Sequence, residues 1–374
     1  MTKRLSVLVT TDAVGGVWTY GLDLARGLSR LDIDITLAVL GPSPTPVQQA
    51  AARGTGARLV DTRLPLDWVT EDPSALTRAG QRIAELAGEV GADLVQLNSP
   101  ALAAGISFPV PLAAVMHSCV ATWWEAVHGT DLPQDFVWRT GRVAAGLANA
   151  DKVVTPSAAF GEAVRRCYRL AEAPATVLNG RSPLRLPEAA GHDFCFTAGR
   201  LWDAGKNLAT LDAAAARIGI PFHAAGPTTG PNGATATFEH LHCLGSIEEA
   251  EIGRWLSARP VFASAALYEP FGLAVLEAAM AGCPLVLSDI PTFRELWEDA
   301  AVFVPPTDAD GFAEAIADLA GDDFARAARG RAAKARAARY TPEAMAARMA
   351  EIYRGLVKAE RAPKGKSGTM VAAA

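Results

Sequence analysis

The sequence predicts an α/β protein made of two doubly wound, parallel-sheet domains that face each other across a cleft. Three observations predict it. Short apolar runs alternate with helical stretches through the first half of the chain, and the alternation starts afresh near residue 194. The length of 374 residues exceeds what one compact core holds, and with half of the residues hydrophobic both domains can bury a core.

Taken in order, Leu5–Val9, Ile35–Val39, Leu94–Leu97, Leu112–Val115 and Lys152–Val154 read as buried strands, with helices at 20–30 and 75–90 between them. The second series has strands at Phe194–Thr197, Phe222–Ala224, Val261–Ala263 and Leu285–Leu287. Its helices fall at 207–218, 248–258, 273–281 and 311–320. The Pro- and Arg-rich stretch 181–190 marks the boundary between the two. Residues 324–358 carry long helical periodicity rich in Ala and Arg, broken at Pro342. The run after Glu360 (Ala-Pro-Lys-Gly-Lys-Ser-Gly) has the composition of a disordered tail. The segments 41–75 and 117–135 give no clear pattern.

Composition narrows the function. A net charge of −5 and a pI near 5.8 provide no global attraction to nucleic acid. The charge is unevenly spread: 181–323 is acidic, so its few cations are informative, and 324–366 is basic. That basic stretch reads as a solvated helix, with contact to acidic lipid headgroups as the alternative. The five cysteines are far apart and odd in number, which fits a reducing cytoplasm rather than a disulfide framework. Lys3-Arg4 before Leu5–Val9 mimics a signal peptide, but the apolar run is short and ends at Thr10-Thr-Asp12, so it reads as a first strand. The greasy stretch 101–116 is interrupted by Gly105, Ser107, Pro109 and Pro111, against a membrane span.

The most informative motif is Glu269-Pro-Phe-Gly-Leu-Ala-Val-Leu-Glu277, followed by Ala281-Gly-Cys-Pro-Leu-Val-Leu-Ser-Asp289. Pro270 and Gly272 break regular structure, and a helix follows from Leu273. The amides of Phe271, Gly272 and Leu273 and the positive end of that helix therefore sit beside Glu269, suited to phosphate oxygens. Glu277, two turns on, suits a vicinal diol such as a ribose. Two solvated carboxylates of an ordinary helix start would need no ligand. The motif resembles the donor-site signature of the retaining, nucleotide-sugar-dependent glycosyltransferases of family 4. The resemblance implies the GT-B fold, two Rossmann-like domains with a final helix that crosses back to the first. It is clearest over 194–305 and thinner over 1–180.

Other segments match in the order the resemblance requires. Gly199-Arg200-Leu-Trp-Asp-Ala-Gly-Lys206-Asn207 lies between a strand and a helix, where a guanidinium and an ammonium can bracket a diphosphate. In the family this Arg and Lys bind the donor pyrophosphate and help the leaving group depart. Val14-Gly15-Gly16-Val17 follows the first strand and lets the backbone approach a ligand closely; it is not Gly-x-Gly-x-x-Gly. The family carries a comparable Gly-Gly loop facing the donor diphosphate. His117 stands at a strand end where family members place a sugar-binding His. Trp123 and Trp124 follow on what reads as the same loop, able to stack on an acceptor sugar or to close the cleft.

Thr155-Pro156-Ser157 and Leu178-Asn179-Gly180 resemble segments that end the family's N-terminal domain. The family often continues Asn-Gly-Val-Asp, whereas this chain has Arg181-Ser182. Pro270 stands where Gly is common and Ala274 where Pro is common; neither change removes a charged or hydrogen-bonding group. His240, His242 and Cys243 lack a fourth ligand at suitable spacing, and no metal or other cofactor is expected.

The resemblance implies a retaining hexosyltransferase that uses a UDP- or GDP-sugar and a saccharide or lipid-linked acceptor, in polysaccharide or glycolipid assembly. Arg200, Lys206, Glu269 and His117 would do the chemistry, and Gly15, Gly16, Phe271, Gly272, Leu273 and Glu277 would bind the donor. Glu269 is either a nucleophile or a holder of sugar hydroxyls while a phosphate oxygen takes the acceptor proton. The expected domains are 1–181, completed by a helix at about 343–358, and 182–342, with a tail over 359–374. The expected location is cytoplasmic, with peripheral contact to the membrane. Two alternatives share the shape: a GT-B sugar-nucleotide epimerase and a non-catalytic nucleotide-sugar-binding protein.

Overall fold

The computed structural model describes residues 4–188, 193–231 and 233–361. The first domain runs β1 (Leu5–Asp12), α1 (Gly16–Ser29), β2 (Ile33–Leu40), α2 (Pro46–Arg53), β3 (Arg58–Leu64), α3 (Pro73–Glu89), β4 (Leu94–Leu97) and β5 (Leu112–Val115). It continues with α4 (Val120–His128), α5 (Gln134–Asn149), β6 (Lys152–Thr155), α6 (Ala158–Tyr168) and β7 (Ala175–Thr176). The second runs β8 (Cys195–Ala198), α7 (Leu208–Ala215), β9 (Phe222–Ala225), β10 (His242–Gly245), α8 (Glu249–Ser257) and β11 (Val261–Ser264). It continues with α9 (Leu273–Ala281), β12 (Leu285–Ser288), α10 (Pro291–Trp297), β13 (Ala301–Val304), α11 (Ala309–Gly321) and α12 (Asp323–Ala337). The last helix, α13 (Pro342–Arg361), returns to pack on α1.

Both sheets are parallel, with orders β3-β2-β1-β4-β5-β6-β7 and β10-β9-β8-β11-β12-β13. In each, the order reverses at the first strand, so the loops after β1 and β4, and after β8 and β11, open a crevice at the strands' carboxyl ends. Apolar stripes of α1 and α13, among them Leu24, Leu28, Met349 and Tyr353, bury one face of the first sheet, and Ile83 and Leu86 of α3 the other. In the second domain α9 and α10 cover one face, with Phe293 and Trp297 fully buried, and α7 and α11 cover the other.

The structure adds elements in the segments that showed no clear pattern. Thr45 caps α2 reciprocally with Gln48, and Cys119 caps α4, which ends on left-handed Gly129. Trp123 and Trp124 therefore stand on a helix, not on the expected loop. Edge strands β3 and β10 are short of buried apolar residues, which is why alternation did not reveal them. The C-terminal periodicity divides into α12 and α13. The latter continues to Arg361, beyond the expected end at 358, so the first three residues of the tail expected over 359–374 are helical; the rest of it, 362–374, lies outside the described residues. Among the described residues, no helix is long and apolar enough to cross a membrane.

Candidate active site in the interdomain cleft

The second domain supplies most of the charge. After β8 the chain turns through Gly199 into a short 3-10 turn at Ala204–Lys206 capped by Asp203, whose Oδ1 accepts from the Gly205 amide at 2.9 Å. Arg200 donates from Nη2 to Asp203 Oδ2 at 2.8 Å and keeps more than half of its side chain exposed to the cleft. Burial raises the Asp203 carboxyl, but the Arg200 charge and the amide and indole donors outweigh it and hold the group below the usual carboxylate range. Lys206 forms an ion pair with Glu269, both side chains mostly buried. Thr197, Gly199, Lys206, Ser264, Glu269 and Ala274 line one recess at this strand end.

Glu269 lies on the loop after β11, and Gly272 turns that loop into α9 with φ +93°, a conformation that glycine adopts without strain. No side chain caps α9, so its first-turn amides point outward beside Glu269. The Phe271 side chain is not part of the cleft surface: it is buried and packs edge-on against Tyr340 at 5.7 Å, so only its backbone can meet a ligand. Glu277 faces the domain boundary one turn below, where Arg181 Nε donates to its Oε1 at 2.7 Å.

The first domain presents the opposite wall. Asp12, at the end of β1, accepts from the amides of Val14 at 2.8 Å and Gly15 at 3.2 Å. The Gly15 amide, expected to face a diphosphate, is thus engaged by Asp12, whose carboxyl sequence reasoning did not single out. Burial raises the Asp12 carboxyl, opposed by those two amides and by the Arg200 charge from the other domain. Gly16 lies directly opposite α9, where an added Cβ would stand 3.6 Å from Leu273 Cδ1.

His117, after β5, packs edge-on against Tyr20 at 4.4 Å and places Nε2 3.1 Å from Asn98 Oδ1. Asn98 donates from Nδ2 to Thr10 O at 2.7 Å, and its Oδ1 also accepts from Gln96 Nε2 at 2.9 Å. This network assigns the proton of neutral His117 to Nε2 and the lone pair to Nδ1. Burial lowers the His117 pKa to about 4. Gln96 in turn accepts from Tyr353 of α13 and donates to Tyr20 at 3.3 Å. These partners are invisible in the sequence because Tyr353 and Gln96 lie far apart along it.

The two tryptophans separate in role. Trp123 donates from Nε1 to Asp203 Oδ1 at 3.0 Å, bridging the domains at the Arg200 loop. Trp124 stacks near His128, ring centroids 4.0 Å apart, and donates to Thr130 at 3.2 Å. The Glu269 loop is fastened to the first domain on both sides. The Tyr268 hydroxyl meets Thr122 Oγ1 at 2.9 Å and accepts from the Cys119 amide at 3.2 Å, and Ser157 Oγ donates to Pro270 O at 2.7 Å. Among the described residues no group of three or more His, Cys, Asp or Glu side chains could hold a metal ion.

Two family models match, one on each side of the cleft: "Glycosyltransferase Family 4" over residues 14–180 and "Glycosyl transferases group 1" over residues 235–336. The chain is a glycosyltransferase of the family 4 type, and its architecture is the GT-B fold. It is 33% identical over 117 residues to the phosphatidyl-myo-inositol mannosyltransferase of Mycolicibacterium smegmatis, a match that covers 30% of this chain and 30% of that protein. It is 25% identical over 332 residues to the glycogen synthase of Mycobacterium tuberculosis, covering 79% of this chain and 77% of that one. Among solved structures, Anabaena HepE in complex with UDP and glucose aligns with a TM-score of 0.70 at 17% identity, covering 94% of this chain and all of that one.

Proposed function

We propose that this glycosyltransferase moves a hexose from a UDP- or GDP-sugar to a saccharide or lipid-linked acceptor with retention of the anomeric configuration. The observation that carries the reading is the convergence of Arg200, Lys206, Glu269 and the free α9 amides at the switch point of the second sheet, facing the Asp12–Gly16 loop and His117. Cleaving the anomeric bond develops negative charge on the β-phosphate. Arg200 and Lys206 offset it, and the α9 amide end adds its partial positive charge. The pyrophosphate competes with Asp203 for Arg200 and with Glu269 for Lys206, so donor binding releases the Glu269 carboxylate to hold sugar hydroxyls. His117, with its Nδ1 lone pair, accepts a hydrogen bond from a hydroxyl of the donor sugar. Glu277 holds the ribose diol.

The mannosyltransferase relative and the UDP- and glucose-bound structural neighbour support a nucleotide-sugar donor and a glycolipid or glycan acceptor. If the acceptor is lipid-linked, exposed Phe324, Arg329 and Arg331 on α12 suit an anionic headgroup layer at the cytoplasmic face. The chemistry is tested with water as acceptor. Purified protein is incubated with UDP-glucose and with GDP-mannose, and the hexose released is read by proton NMR before mutarotation. The α-hexose with free nucleoside diphosphate is expected from one donor. The β-anomer overturns retention, and an epimeric hexose overturns transfer.

A further inference from the structure

In the charged cluster where the chain passes between domains, Glu277 alone has a part in the donor binding above. Arg181 follows Gly180 directly and is 6% exposed. Its guanidinium forks onto three carboxylates from three elements: Nε donates to Glu277 Oε1 at 2.7 Å, Nη1 to Asp23 Oδ2 at 3.2 Å, and Nη2 to Glu249. Asp23 belongs to α1 of the first domain, Glu277 to α9 and Glu249 to α8 of the second. The other Asp23 oxygen accepts from Arg26 Nη1 at 2.7 Å and from Ser182 Oγ at 2.5 Å.

The backbone that carries this guanidinium is tightly placed. The Arg181 amide donates to Tyr340 O at 3.1 Å, and a Cβ on Gly180 would stand 2.1 Å from Thr341 O. Burial pushes the Glu277 carboxyl up, Arg181 opposes that, and Glu249 and Asp23 push it further up. Without the cation, a carboxyl set among two others takes a proton and turns one acceptor oxygen into a donor. The planar fork takes Oε1 in a fixed direction and leaves Oε2 for a ligand, a geometry an ammonium does not reproduce.

We infer that Arg181 is a positioning residue of the donor site: it holds one oxygen of Glu277, presents the other to the ribose diol, and ties that carboxylate to Asp23 of the opposite domain. The inference rests on the reading of Glu277 as the ribose-binding group. Arg181 stands where the family often has Val, so the device belongs to this chain's own pattern.

The test compares binding of UDP and GDP with that of their 2′-deoxy forms, by calorimetry, in wild type, Glu277→Ala, Arg181→Gln and Arg181→Lys. Inorganic pyrophosphate serves as a ribose-free control, and melting temperatures report folding. Wild type is expected to prefer the ribonucleotide by about tenfold, the worth of a hydrogen bond to a charged group. Glu277→Ala brings the preference close to unity. Both Arg181 variants lower it at least about threefold, with pyrophosphate binding unchanged. If Arg181→Gln does not fold, Arg181→Lys decides. An Arg181 variant that folds and keeps the wild-type preference while Glu277→Ala loses it overturns the inference alone. A Glu277→Ala protein that keeps the preference overturns the ribose reading and the inference with it.

Discussion

His117 shows how the fold prepares a single side chain for the role proposed for it. Its imidazole is neutral because burial has lowered its pKa from 6.5 to about 4, and the Asn98 carbonyl oxygen fixes which nitrogen carries the proton. Between those two values the unfolded chain binds a proton that the native protein does not, so stability rises as pH increases from about 4 to 6.5 and gains nothing from this group above that. Replacement by Gln removes the titration while keeping a hydrogen-bonding side chain. Urea unfolding midpoints at pH 4.5 and 7 should then differ less in His117→Gln than in wild type. At this scale the sequence is legible where chemistry is local. Arg200, Lys206 and Glu269 lie in the loops that leave β8 and β11, and the carboxyl ends of strands are where an open sheet puts ligands. Arg181, seen only as a departure from the family pattern, and Asp203 and Asp12 were given no role because their significance lies in partners. Asp203 matters through Arg200 and Trp123, and Arg181 through carboxylates on three other elements.

The elements follow the same logic. Strands buried on both faces, such as β4 and β5, stand in the sequence as plain apolar runs, and the expected and observed bounds agree. Edge strand β3 mixes charged and apolar residues without regular alternation or deep burial, and only its pairing with β2 makes it a strand. The α1–α13 crossing is likewise a tertiary fact. Gly27 sits where a Cβ would stand 2.5 Å from Ala346 Cβ and 2.6 Å from Pro342 O, so the two helices meet at backbone distance. Ala raises helix propensity by up to about 1 kcal/mol, but overpacking this contact costs about 1–3 kcal/mol, and the clash with backbone should win. Gly27→Ala is therefore expected to lower the chemical-denaturation midpoint, whereas the same change at Gly88, which has open space around its Cβ position, should leave it equal or higher.

At the scale of the whole molecule, two similar domains are joined so that several parts of the proposed donor site are braced from the opposite side. Trp123 reaches the Arg200 loop, Tyr268 and Pro270 are fastened to the first domain around Glu269, and Arg181 links Glu277 to Asp23. The two-domain plan was readable from the repeated strand-helix rhythm, because each half had to bury its own core. The bracing was not, since it pairs residues 80 to 158 positions apart. The central claim is that nucleoside diphosphate binds at the switch point of the second sheet through Arg200 and Glu277. Its most direct test is the shift in melting temperature on adding UDP or GDP to wild type, Arg200→Ala and Glu277→Ala. One of the two nucleotides should raise the wild-type melting temperature, and both substitutions should abolish most of the rise. No rise with either nucleotide, or an undiminished rise in both variants, would contradict the account.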